Sequence, residues 1–111
     1  MNTSSIELII QSISGHPTML GYQYLLCAVE LCLELNSFPN RKVIQILYQQ
    51  VAQKFHTSTG NVARNVARAA DDCWDHGDLE QLKKIVGHRL SDKPTPAELI
   101  YYLFRYLSNQ K

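Results

Sequence analysis

Apolar residues recur at helical spacing through almost the whole chain, and strict alternation never lasts long enough to mark a strand. Six helical segments follow from this pattern. The first is expected near residues 4–14, with Thr3, Ser4 or Ser5 as cap and a stripe of Ile6, Ile9, Ile10 and Ile13, ended by Gly15 and Pro17. The second, near residues 19–36, is apolar around most of its circumference (Leu20, Tyr24, Leu25, Cys27, Ala28, Leu31, Cys32, Leu35), as a central core helix would be. A loop through Pro39 leads to a third, near residues 42–55, carrying Val43, Ile44, Leu47, Val51 and Phe55.

The pattern breaks at residues 56–59, where Thr57, Ser58 and Thr59 are all competent N-caps. A fourth helix then runs to about Asp75 and stops before Gly77, and a short fifth spans residues 79–86 before Gly87. The last begins near Pro96, with Thr95 as cap, Pro96 at the first position and Glu98 in the first turn. The expectation is one compact all-α domain of six helices over residues 1–111.

Composition narrows the function classes. The sequence is 45% apolar, enough for one core. No segment approaches the ~20 consecutive apolar residues of a membrane span, and the N-terminus has no basic or apolar leader. The expectation is a cytoplasmic chain with no membrane partner. Cys27, Cys32 and Cys73 lack metal-binding spacing and read as buried packing residues. His16, His56, His76 and His88 are scattered, with no pairing suited to a metal or a general base. No nucleophile–base pair or phosphate loop stands out. The expectation is neither enzyme nor cofactor.

Charge adds more by its distribution than by its net +1. Residues 1–40 hold Glu7, Glu30 and Glu34 and no cation. Residues 41–70 hold Arg41, Lys42, Lys54, Arg64 and Arg68 and no acid, and Asp71, Asp72, Asp75, Asp78 and Glu80 follow. Such segregation is the footprint expected of one phosphate-facing surface. On a helical wheel Asn61, Arg64, Asn65, Arg68, Asp71, Asp72 and Asp75 fall within about 120°. The opposite arc is small and apolar, including Val62, Ala63, Val66, Ala69 and Cys73.

Arginine can pair bidentately with guanine and asparagine with adenine. Hydroxyls and free N–H groups at a helix start suit a phosphate. The acids at the far end would repel DNA, so only the first half of this helix should enter a groove. Val51, Ala52, Phe55 and Val62 match the buried positions of a helix-turn-helix made by the third and fourth helices, with a recognition helix at about residues 58–75. Two positions depart from that pattern: His56 stands where the turn usually has Gly, and Asn65 where an apolar residue is usual. The candidate DNA contacts are Lys54, Ser58, Thr59, Gly60, Asn61, Arg64, Asn65 and Arg68.

At these residues the chain resembles the C-terminal DNA-binding domain of the stage-zero sporulation response regulator. The resemblance is carried by Gly21-Tyr22-Gln23-Tyr24-Leu25, by Leu47-Tyr48 and Val51-Ala52-Gln53-Lys54-Phe55, and by Val62, Arg64 and Ala69. It continues through Trp74, Gly77-Asp78-Leu79-Glu80, Gly87 and Lys93-Pro94-Thr95. The resemblance implies a six-helix fold and double-stranded DNA as ligand, bound by two copies on tandem sites to regulate transcription. RNA polymerase is a further implied partner, and so is a phosphoacceptor receiver domain if the chain is a fragment of a two-domain regulator. The family has Arg-Val-Glu-Arg where this chain has Asn61-Val62-Ala63-Arg64, and Ala67 and Arg68 also depart from it. The family's base preference therefore does not transfer. A second reading follows from those losses: a protein-interaction module that keeps the fold without specific DNA readout, with Asp71–Glu80 as its contact surface.

Overall fold

The computed structural model describes residues 3–39, 42–87 and 90–109. Arg41 and His88 lie outside these, as do the side chains of Thr3, Ser4, Val43 and Ile44. Six helices make up the fold, and the described residues contain no strand. α1 is Thr3–Ile13 and α2 is Leu20–Leu35. The third helix has two parts, a widened π-helical stretch over Val43–Tyr48 and the α-helical turns Gln49–Lys54, here called α3 together. α4 is Thr59–His76, α5 is Leu79–Val86 and α6 is Pro96–Ser108. The Cα radius of gyration, 12.7 Å, is that of a compact chain of this size, for which about 13 Å is usual.

Local chemistry sets the boundaries. Asn36 closes α2 in the left-handed region at φ 54°, where Asn is tolerated, and its N–H donates to the carbonyls of Cys32 and Leu33. The Asp78 carboxylate accepts the Gln81 N–H at the start of α5. Gly87 ends that helix at φ 82°, a conformation an L side chain would resist. At α6 the Thr95 hydroxyl takes the Glu98 N–H while the Glu98 carboxylate takes the Thr95 N–H, a reciprocal capping box preceding Pro96. The π-helical winding departs from the regular α-helix that the spacing of residues 42–55 predicts.

The core assembles around α2, which packs most extensively on α4. Tyr22, Tyr24, Leu25, Ala28, Val29 and Cys32 of α2 are buried against Val62, Val66, Ala69 and Cys73 of α4. Ile6, Ile10 and Ile13 of α1 join this core, with Leu82, Ile85 and Val86 of α5 and Leu99, Ile100, Leu103 and Leu107 of α6. The ends of α2 do not follow the expected stripe, since Leu20 and Leu35 are exposed. All three cysteines are free and buried. Burial pushes the Cys32 and Cys73 thiols up to about 11, so both stay protonated as packing groups.

Gly21 explains how α2 and α4 approach so closely. A Cβ at this position would sit 2.0 Å from the carbonyl oxygen of Asn65, so only glycine lets the two backbones meet there.

Asp72 corrects the wheel. The periodicity sets it on the solvent-facing side of α4, yet it is 6% exposed. Its Oδ2 accepts from the N–H groups of Gly15 (3.0 Å) and His16 (2.8 Å) and from the Tyr22 hydroxyl (2.5 Å). Its Oδ1 pairs with His16 Nδ1 at 2.5 Å. Burial opposes the charged form, but the hydrogen bonds from Tyr22 and His16 outweigh it and hold the carboxyl at about 2. The same burial and the bond to Asp72 push the Tyr22 phenol far above its ordinary value. Asp72 thus ties the α1–α2 loop to α4.

Candidate nucleic-acid interface

The turn between α3 and α4 is built from backbone closures that the sequence only partly signals. His56 lies at φ 55°, in the left-handed region usually taken by glycine. Its N–H donates to the Gln53 carbonyl at 3.4 Å, and the Thr57 N–H reaches back to the Ala52 carbonyl at 2.9 Å. These two bonds with a left-handed residue between them form a Schellman motif, in which His56 does what Gly usually does. Ser58 then caps α4: its hydroxyl accepts the Asn61 N–H at 3.0 Å, and its carbonyl accepts the Val62 N–H. Thr57 does not act as the cap, but its hydroxyl accepts from the Asn61 side chain at 2.9 Å.

Tyr24 of α2 holds both sides of this turn. Its ring meets Phe55, at the end of α3, edge-on at a centroid distance of 5.1 Å. Its hydroxyl accepts from Asn61 Nδ2 at 3.3 Å. Asn65, one turn further along α4, donates to Asn61 twice, to the backbone carbonyl (2.8 Å) and to Oδ1 (3.1 Å). Both asparagines are half-buried, on the edge of α4 turned toward α2.

The predicted contact residues separate into four groups. Arg64 and Arg68 are exposed and make no ion pair among the described residues. Ser58, Thr59 and Gly60 surround the start of α4, where first-turn N–H groups lack intrahelical acceptors. The Arg64 guanidinium folds back toward this turn, 3.7 Å from where a Gly60 Cβ would be. Asn61 and Asn65 form the inward edge just described. Lys54, although exposed, lines a groove of about 430 Å³ beside α2 with Glu30, Glu34 and Cys27. There it partly offsets the burial that pushes the Cys27 thiol up.

The acidic run does not form one surface. Asp71 pairs with Lys93 at 2.5 Å, Asp72 is buried, Asp78 caps α5, and Glu80 lies 3.4 Å from Lys83. The α6 aromatics are likewise occupied: Tyr101 meets Phe38 edge-on at 5.3 Å, and Arg105 lies over Tyr101 and Tyr102 while donating to the Val86 carbonyl. Sequence reasoning missed Tyr24 as a site residue. A tyrosine in a stripe of buried positions is its signal, because a buried hydroxyl needs a partner.

The description of the C-terminal domain of the sporulation initiation factor Spo0A matches residues 6–107, which covers all six helices but for their outermost residues. The chain belongs to this family. The Spo0A C-terminal domain is a helical, DNA-binding domain of a sporulation transcription regulator of two-component systems, and double-stranded DNA is its ligand. It is a transcription-factor family and not an enzyme family. Among the described residues no helix is long and apolar enough to cross a membrane, and no group of three or more His, Cys, Asp or Glu could hold a metal ion.

Proposed function

We propose that α3 and α4 form a helix-turn-helix that reads specific duplex DNA, with α4 as recognition helix. The observation that carries this reading is the Schellman turn at His56, which delivers a capped α4 whose outer side presents Arg64 and Arg68 without ion pairs among the described residues. Arginine is the side chain best suited to guanine in the major groove. Ser58, Thr59 and Gly60 supply a polar helix start for a backbone phosphate, which fixes register without reading sequence. Exposed Asp75, beyond the Asp71–Lys93 pair, disfavours the far end of α4 in the groove. Two copies then occupy tandem sites.

The test is Arg64→Ala on a duplex selected by the unaltered chain. The expected loss is about 1–3 kcal/mol of binding free energy with relaxed preference at one base pair. Unchanged affinity would show that this face does not read DNA. The alternative, a protein-interaction module without specific readout, draws on the inward-turned Asn61 and Asn65. It predicts the same affinity for every duplex sequence.

A further inference from the structure

Tyr24, Asn61 and Asn65 are joined by hydrogen bonds into a ladder on the edge of α4 that faces α2. We propose that Asn61 and Asn65 are positioning residues rather than base readers: through Tyr24 they lock α4 against α2, and they leave Arg64 and Arg68 as the two side chains that select bases. This rests on the DNA-reading role of α4.

The chemistry of asparagine carries the argument. To read adenine, one carboxamide must accept from N6–H and donate to N7 at the same time. Asn61 has both amide protons committed, one to the Tyr24 hydroxyl and one to Thr57 Oγ1, and its Oδ1 already accepts from Asn65. Asn65 commits both of its protons to Asn61. Neither can present the adenine-reading pair to a groove without dismantling the ladder. The close approach of the α2 backbone at Gly21 covers α4 at Asn65 as well. Arg64 and Arg68 point elsewhere, are exposed, and stand one helical turn apart. That turn is about 6 Å along the axis, less than two base-pair steps. The ligand this geometry fits is a duplex with guanines no more than two steps apart.

The experiment is selection from a randomised duplex library with the full chain and five variants, read together with NMR of the asparagine side-chain amides. Asn61→Ala and Tyr24→Phe should each weaken binding about 2- to 10-fold on every duplex while leaving base preferences intact. The double variant should be no weaker than Asn61→Ala, because both changes break one coupled contact. Arg64→Ala and Arg68→Ala should each erase preference for one guanine. In the free protein, Tyr24→Phe, which keeps the ring against Phe55, should shift the Asn61 and Asn65 amide signals.

Loss of preference at a single base pair in Asn61→Ala, with Tyr24→Phe behaving as the unaltered chain, would overturn the proposal. So would free-protein amide signals that ignore Tyr24→Phe. A chain that binds no duplex at low salt would overturn the DNA reading as a whole, and the free-protein signals would then report separately on the ladder.

Discussion

Replacing Asp72 with alanine removes the acceptor of four donors at once: the Gly15 and His16 N–H groups, His16 Nδ1 and the Tyr22 hydroxyl. The Tyr22 hydroxyl is buried and keeps only the weak acceptor Cys73 Sγ at 3.4 Å, so it carries most of the cost of an unsatisfied donor, about 1–3 kcal/mol, while Gly15 and His16 are partly exposed. Adding the lost bonds to a charged acceptor gives a total of about 3–5 kcal/mol. For a domain of this length that lowers Tm by about 12–20 °C.

Asp72→Asn separates charge from shape. The amide oxygen can keep the three Oδ2 partners, and its nitrogen can donate to His16 Nδ1 in the other tautomer, so the loss reduces to the charge contribution. A carboxyl held at about 2 instead of 3.8 contributes about 2 kcal/mol. Because the folded value is depressed, this stability is present above pH about 4 and is lost as the pH falls toward 2. Urea unfolding of the unaltered chain and Asp72→Asn should therefore differ by about 2 kcal/mol at neutral pH and converge near pH 2. An Asp72→Ala protein within about 0.5 kcal/mol of the unaltered chain, the range of an ordinary surface change, would refute the reasoning.

Two further substitutions probe the frame that holds the interface. Gly21→Ala drives a methyl group into the Asn65 carbonyl, and the urea midpoint should fall by the equivalent of about 1–3 kcal/mol or more. His56→Val places a β-branched residue in the left-handed region and should cost about 1–2 kcal/mol in the same assay, whereas His56→Gly should not destabilise comparably.

Much of the fold could be read from the sequence because its signals are local. Ser58, Asp78 and Thr95 sit where helix starts need an acceptor, and all three cap as a short-range pattern requires. Within α6, Leu99, Ile100, Leu103 and Leu107 recur at helical spacing and form its buried face. What failed was the assumption that a polar residue on a wheel faces water. Asp72 shares its angular sector with Arg68, yet its partners Gly15 and His16 lie 57 and 56 residues away in sequence, beyond the sight of any single-helix pattern. Asn61 and Asn65 show the same limit, since the Tyr24 hydroxyl that orders them comes from a different helix. The π-helical winding of Val43–Tyr48 was illegible for another reason: its apolar residues recur at nearly the spacing of an ordinary α-helix. Arg64 and Arg68 are exposed where the wheel sets them, and neither makes an ion pair among the described residues.

The central claim, that the α4 face binds duplex DNA through its cations, is tested most directly by titrating a labelled duplex with the unaltered chain at about 50 and 200 mM salt. Neutralising two to three phosphates predicts that affinity falls by at least about tenfold over this range. Affinity that stays flat with salt, or no binding at the lower concentration, would contradict it.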